Sequence, residues 1–134
     1  LEDMMMRIYK LMLDNEKIMK SVNKNAIKFY DYPNAQEITD VSIVIDPIDT
    51  PKPEDFADDD NMTYEYLFQI DVFVKQKSGI NGRLLADDLI FQIQRMMWDV
   101  LGFGETSSIK PEYIKDFKIY HQAKRFEGKQ YYKL

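Results

Sequence analysis

YEYLFQIDVFVKQ, residues 64–76, decides the fold. Tyr64, Tyr66, Phe68, Ile70, Val72 and Val74 recur at every second position, with Glu65, Gln69, Asp71 and Lys75 between them. A period of two places alternate side chains on opposite faces of a pleated strand. Leu67 and Phe73 interrupt the polar set, so part of the second face is expected to be covered by a helix or by another subunit.

On the C-terminal side, after the turn Gly79-Ile80-Asn81-Gly82, residues 83–101 change period. Leu85, Leu89, Ile93, Met96, Met97 and Val100 are spaced by three and four, which predicts the longest helix of the chain. Gly102 ends it as a left-handed cap. Trp98 lies off that stripe, at the core edge or as an interface anchor. Residues 115–126 alternate again, and Gln130-Tyr131-Tyr132 extends that strand.

On the N-terminal side, residues 3–13 read as an amphipathic helix through Met5, Ile8, Leu11 and Met12, and Asn15 caps a second short helix. A short strand lies within residues 25–32 before Pro33. Val41–Ile45 is a β-branched strand stopped by Asp46-Pro47. Residues 46–62, DPIDTPKPEDFADDDNM, hold three prolines and seven acidic residues and read as an exposed acidic loop. The expected fold is therefore one α+β domain over residues 1–134. It has a small, mainly antiparallel sheet packed against a long helix, with short N-terminal helices, in the order α-α-β-β-β-α-β.

Composition narrows the function. The 134 residues include no cysteine and one histidine, His121, which removes disulfides, thiolate zinc sites and multi-histidine centres. The net charge of -5 disfavours recognition of nucleic acid or an anionic membrane. No apolar run approaches the roughly 18 residues of a spanning helix, and no signal-peptide pattern is visible, so a protein made in a cytoplasm is expected. The charge is segregated: residues 31–71 carry twelve acidic side chains and one basic, whereas residues 72–134 carry eleven basic and seven acidic. That polarity suits head-to-tail contact between identical subunits.

Catalytic motifs are sparse. An EF-hand loop begun at Asp58 would need Gly and Glu where Thr63 and Gln69 stand. Glu127-Gly128-Lys129, with Asp116 upstream, resembles the E-x-K element of metal-dependent nucleases, in which a divalent ion would support hydrolysis. His121, in an alternating run with Ile119 and Ala123, reads as a hydrogen-bonded structural histidine. No phosphate-binding glycine loop is present. The expectation is a protein without catalytic residues, metal or cofactor. Nine Tyr, eight Phe, eight Met and one Trp are a large aromatic and sulfur load, suited to protein interfaces.

Residues 29–76, FYDYPNAQEITDVSIVIDPIDTPKPEDFADDDNMTYEYLFQIDVFVKQ, resemble the small tail-completion proteins of long-tailed phages and prophages of Gram-positive bacteria. The likeness rests on Phe29-Tyr30-Asp31-Tyr32-Pro33, Ile45-Asp46-Pro47, Asp49-Thr50-Pro51, the acidic segment and the strand after it. With the long helix and last strand it covers most of the chain. It implies a tail terminator: a structural protein of the virion that caps the tail tube as a six-subunit ring, ends its polymerisation and joins it to the head. The implied partners are further copies of itself, the tail tube protein and head-tail connector proteins, with no membrane and no direct nucleic-acid recognition. The implied location is the head-proximal end of the tail, after synthesis in the host cytoplasm. On that reading Asp46, Asp49, Asp55, Asp58, Asp59 and Asp60 form an interface element, and Arg83, Arg95, Lys124 and Arg125 are its complementary cations. Another head- or tail-completion protein would share the same size, acidity and ring-forming habit.

Overall fold

The computed structural model describes residues 2–58 and 60–131. Helix α1, Met4–Leu13, starts where Asp3 accepts a hydrogen bond from the Met6 amide, and α2, Glu16–Met19, starts at Asn15 in the same way. Strands β1 (Ile27–Phe29), β2 (Val41–Pro47), β3 (Lys52–Ala57) and β4 (Asp60–Lys75) follow. Helix α3 spans Gly82–Leu101, and β5 (Gly104–Ile114) and β6 (Ile119–Tyr131) complete the order. Tyr132 lies outside the described residues.

The chain is α+β, as the sequence pattern predicts. The expected elements occur in the expected order, with β3 and β5 added. Among the described residues the sheet has six strands in the order β1-β2-β4-β6-β5, and β3 pairs β4 beyond the end of β2. Only β1–β2 is parallel; the other pairings are antiparallel.

The acidic segment 46–62 is not a loop. It comprises the end of β2, a short connection, and a hairpin of β3 against the first residues of β4, with Lys52 opposite Glu65 and Ala57 opposite Asp60. Proline and aspartate are tolerated because β3 is an edge strand, paired on one side only and largely exposed. Asp55 and Asp58 adopt positive φ of 54° and 50°, a region that Asp enters more readily than most residues. The second added strand, β5, has almost every residue exposed and two register shifts against β6. It therefore lacks any hydrophobic period.

The even-numbered side chains of β4 build the main core with α1, α2 and α3: Tyr66, Phe68, Ile70, Val72 and Val74 pack with Ile8, Met12, Leu89 and Ile93. Asn81 caps α3 by accepting from the Leu84 amide at 3.2 Å, and Gly102 ends it at φ 68°. Phe73, on the opposite face, joins a second, smaller cluster with Ile38, Val44 and Ile119. The chain's own segment around Ala35–Ile38 covers that face, so no neighbouring subunit is needed to bury Phe73.

Candidate functional site

The face of the sheet opposite α3 carries a polar row created by register. Asp71 of β4 lies between Val44 of β2 and Ala123 of β6, and His121 of β6 lies between Phe73 of β4 and Glu112 of β5. His121 stacks on Phe73 with ring centroids 4.2 Å apart and planes 3° from parallel. Its Nε2 is 2.7 Å from Asp71 Oδ2 and its Nδ1 is 2.5 Å from Glu112 Oε1. Asp71 Oδ1 accepts from Gln69 Nε2 at 2.9 Å and from the Tyr32 hydroxyl at 3.3 Å. The same hydroxyl lies 2.8 Å from Asp46 Oδ2, and Arg125 Nε donates to Gln69 Oε1 at 3.0 Å.

Asp71 is 2% exposed, so its carboxyl oxygens rely on these partners in place of water. For His121, burial works against the charged form, but the hydrogen bonds and charges of Asp71 and Glu112 outweigh it and raise the pKa above its ordinary value. Both ring nitrogens then donate. Burial first, and then the carboxylates of Asp46 and Asp71, push the Tyr32 phenol up. The arrangement holds protons in place and ties the segment after β1 to β2, β4, β6 and β5.

The predicted interface residues do not form one patch. Asp46 belongs to the polar row beneath Tyr32. Asp49 pairs with Lys52 at 2.9 Å and accepts from the Thr50 amide. Asp55 accepts from Thr63 Oγ1 at 2.7 Å and pairs with Lys129 at 2.9 Å, contacts that hold its pKa below the usual carboxylate value. Asp58 and Asp60 are exposed at the β3–β4 hairpin, and Asp60 Oδ1 accepts from the Asn61 amide. Asp59 lies outside the described residues.

The four cations also have internal partners. Lys124 pairs with Glu105 at 2.6 Å and Arg125 belongs to the polar row. Arg83 and Arg95 stand on the outer side of α3 in i,i+4 pairs with Asp87 and Asp99. Sequence reading missed Lys115 and Lys118, exposed in the β5–β6 turn at the end of the sheet remote from the hairpin. Residues 115–126 are expected to alternate as one strand, but Lys115, Asp116, Phe117 and Lys118 form the turn and β6 begins at Ile119.

Asp116 does not join Glu127 and Lys129. It lies in the β5–β6 turn, whereas Glu127 is about 26 Å away along β6 at 3.3 Å per residue. Glu127 instead lies beside Glu65 of β4, and this neighbouring carboxyl raises the Glu65 pKa. Among the described residues no group of three or more His, Cys, Asp or Glu side chains is arranged to hold a metal ion. The glycine of the triplet has a packing reason: a Cβ on Gly128 would fall 2.1 Å from Phe103 Cδ1 in the core.

Apolar surface among the described residues includes a groove and the outer face of α3, where Val100, expected in the core stripe, is also exposed. A groove of about 670 Å³ runs between the start of α1 and the β2–β3 connection, lined by Met4, Met5, Tyr66 and Phe68 with Glu2 and Asp49 at its margin. Leu84, Phe91 and Trp98 stand exposed on α3, so Trp98 is on its outer face and not at the core edge. No helix among the described residues is long and apolar enough to cross a membrane. The chain matches no protein-family model and no curated protein sequence.

Proposed function

We propose that the chain is a tail-terminator subunit of a long-tailed phage or prophage. On this reading it caps the tail tube as a ring, ends polymerisation, and forms part of the head-tail joining surface. The observation that carries the reading is the placement of unlike charge at opposite ends of one continuous sheet. The β3–β4 hairpin presents Glu54, Asp58 and Asp60 at one end, and the β5–β6 turn presents Lys115 and Lys118 at the other. Strand β4 between them is 16 residues long, which spans about 50 Å at 3.3 Å per residue.

A ring needs two different patches on each subunit, since a heterologous contact repeats around the axis until it closes. An acidic hairpin meeting the lysine turn of the next copy meets that need, with Phe56 beside the tip as an apolar anchor. Its partners on this reading are further copies of the chain, the tail tube protein and the connector proteins of the head.

Light scattering on a sizing column, with and without isolated tail tubes, tests the reading. A species of about 96 kDa, six times 16.0 kDa, is expected free or on the tube end. Replacing Asp58, Asp59 and Asp60 together by Asn is expected to abolish it and to leave the circular dichroism spectrum unchanged. Failure of the chain both to form a ring and to bind tube ends would overturn the proposal.

A further inference from the structure

Helix α3 has two stripes. One faces the core through Ala86, Leu89, Ile93 and Met97. The other consists of Leu84, Phe91 and Trp98, which are 52%, 55% and 53% exposed. Their spacing of seven brings Leu84 and Trp98 within about 20° of Phe91 around the helix and about 10 Å to either side of it along the axis. Single exposed apolar residues are ordinary, but three large ones in line form a continuous strip.

The charges beside the strip are arranged about Phe91. Asp88 lies about 4.5 Å toward the N-terminus and Arg95 about 6 Å toward the C-terminus, both on the same side of the strip at 100° per residue. When two such helices lie antiparallel across a two-fold axis at Phe91, each residue meets the one equally far on the other side of the centre. Leu84 then covers Trp98 of the second copy, the two Phe91 rings meet, and Arg95 comes level with Asp88 of the second copy to within about 1.5 Å. Asp88 Oδ1 accepts from Gln92 Nε2 at 3.5 Å. Arg95 pairs with the exposed Asp99 at 2.6 Å, and its planar fork can serve a second carboxylate.

We propose that the outer face of α3 is a homodimer interface, occupied by α3 of a second copy of this chain in antiparallel register centred on Phe91. The contact is two-fold and uses one patch twice. It is therefore separate from the head-to-tail contact of a ring, and it joins two subunits or two rings back to back.

Sedimentation equilibrium over a concentration series, with a charge-swap cycle, tests it. The parent is expected to show an associating species whose mass is halved by Phe91→Asp. Asp88→Arg and Arg95→Asp alone are each expected to weaken pairing about tenfold, and the double variant to recover it to within about threefold. The three side chains are outside the core, and unchanged melting curves confirm the fold of each variant. The Asn substitutions at the hairpin leave this pairing intact, which separates it from ring formation. A mass indifferent to Phe91→Asp, or a double variant as weak as the singles, would overturn the proposal.

Discussion

His121 Nε2 lies 2.7 Å from Oδ2 of Asp71, a residue 50 positions earlier in the chain and 2% exposed. The bond crosses from β6 to β4, and the second ring nitrogen continues it to Glu112 on the edge strand β5. One imidazolium thus neutralises a buried carboxylate and fastens an edge whose register is otherwise broken by bulges.

This bond carries a pH dependence. The His121 pKa in the folded chain is raised above 6.5, so its stabilisation is complete below the ordinary imidazole value and is lost as pH rises through the raised value. His121→Ala is expected to cost about 3 kcal/mol at pH 6, because the buried Asp71 carboxyl group loses the imidazolium beside it. The difference from the parent shrinks as pH rises past the titration. Denaturant melts of both proteins between pH 5.5 and about pH 9 measure it; a difference independent of pH would show that the ring acts through its packing on Phe73 alone.

The contact also shows why the site was less legible than the fold. The strand at 64–76 and the helix after it could be read because each buries one face against the same core, so burial imposes its period directly on the sequence. Gly102 was legible for a different reason, since a left-handed cap selects glycine. Strand β3 escaped because composition suggested a loop, while an edge position asks little of composition. Strand β5 escaped because neither face is buried for most of its length. Of the polar row only His121 could be read, as a hydrogen-bonded histidine, and it is one; its partners could not, because Tyr32, Asp71 and Glu112 share no spacing with it and only the fold brings them together. The outer stripe of α3 was not read beyond Trp98, because the three-and-four pattern of the core dominates the helix.

Two glycines separate steric from conformational need. At Gly128 the obstacle is the Phe103 ring, itself 1% exposed, and Gly128→Ala is expected to destabilise the fold by about 3 kcal/mol through overpacking. At Gly102 nothing lies within 4 Å of an added Cβ and the cost is only the positive φ, about 1 kcal/mol for alanine. Phe103→Leu should rescue Gly128→Ala and leave Gly102→Ala unchanged. Chemical denaturation of the parent, the three single variants and the two doubles checks this, and equal costs at the two glycines would contradict it.

The start of α3 rests on one side chain. Asn81 Oδ1 accepts from the Leu84 amide at 3.2 Å, and Asn81→Ala is expected to cost about 1 kcal/mol, with Asn81→Asp close to neutral. Because α3 packs on β4 and β6, the loss should appear in global unfolding as well as at the helix end. Thermal melts read the first effect and amide exchange of Leu84 and Leu85 the second.

Tyr32 tests how the polar row fastens the segment after β1. Its hydroxyl lies between Asp46 and Asp71, and the phenol is pushed above its ordinary pKa by burial and by both carboxylates, so it stays protonated and donates across the neutral range. Tyr32→Phe removes that donor and leaves the ring in place. Asp71 retains Gln69 and His121, so the global cost should be about 1 kcal/mol. The local effect should be larger, because Tyr32 ties residues 30–38 to the sheet and this segment covers Phe73 through Ala35 and Ile38. Hydrogen exchange is expected to accelerate about tenfold at Glu37 and Ile38, whose amides donate to Asn34 and Ala35. Exchange at Ile70 and Val72 in the centre of β4 should change only by the global amount. Uniform acceleration across both regions would mean that the segment does not open on its own and that Tyr32 contributes to the sheet as a whole.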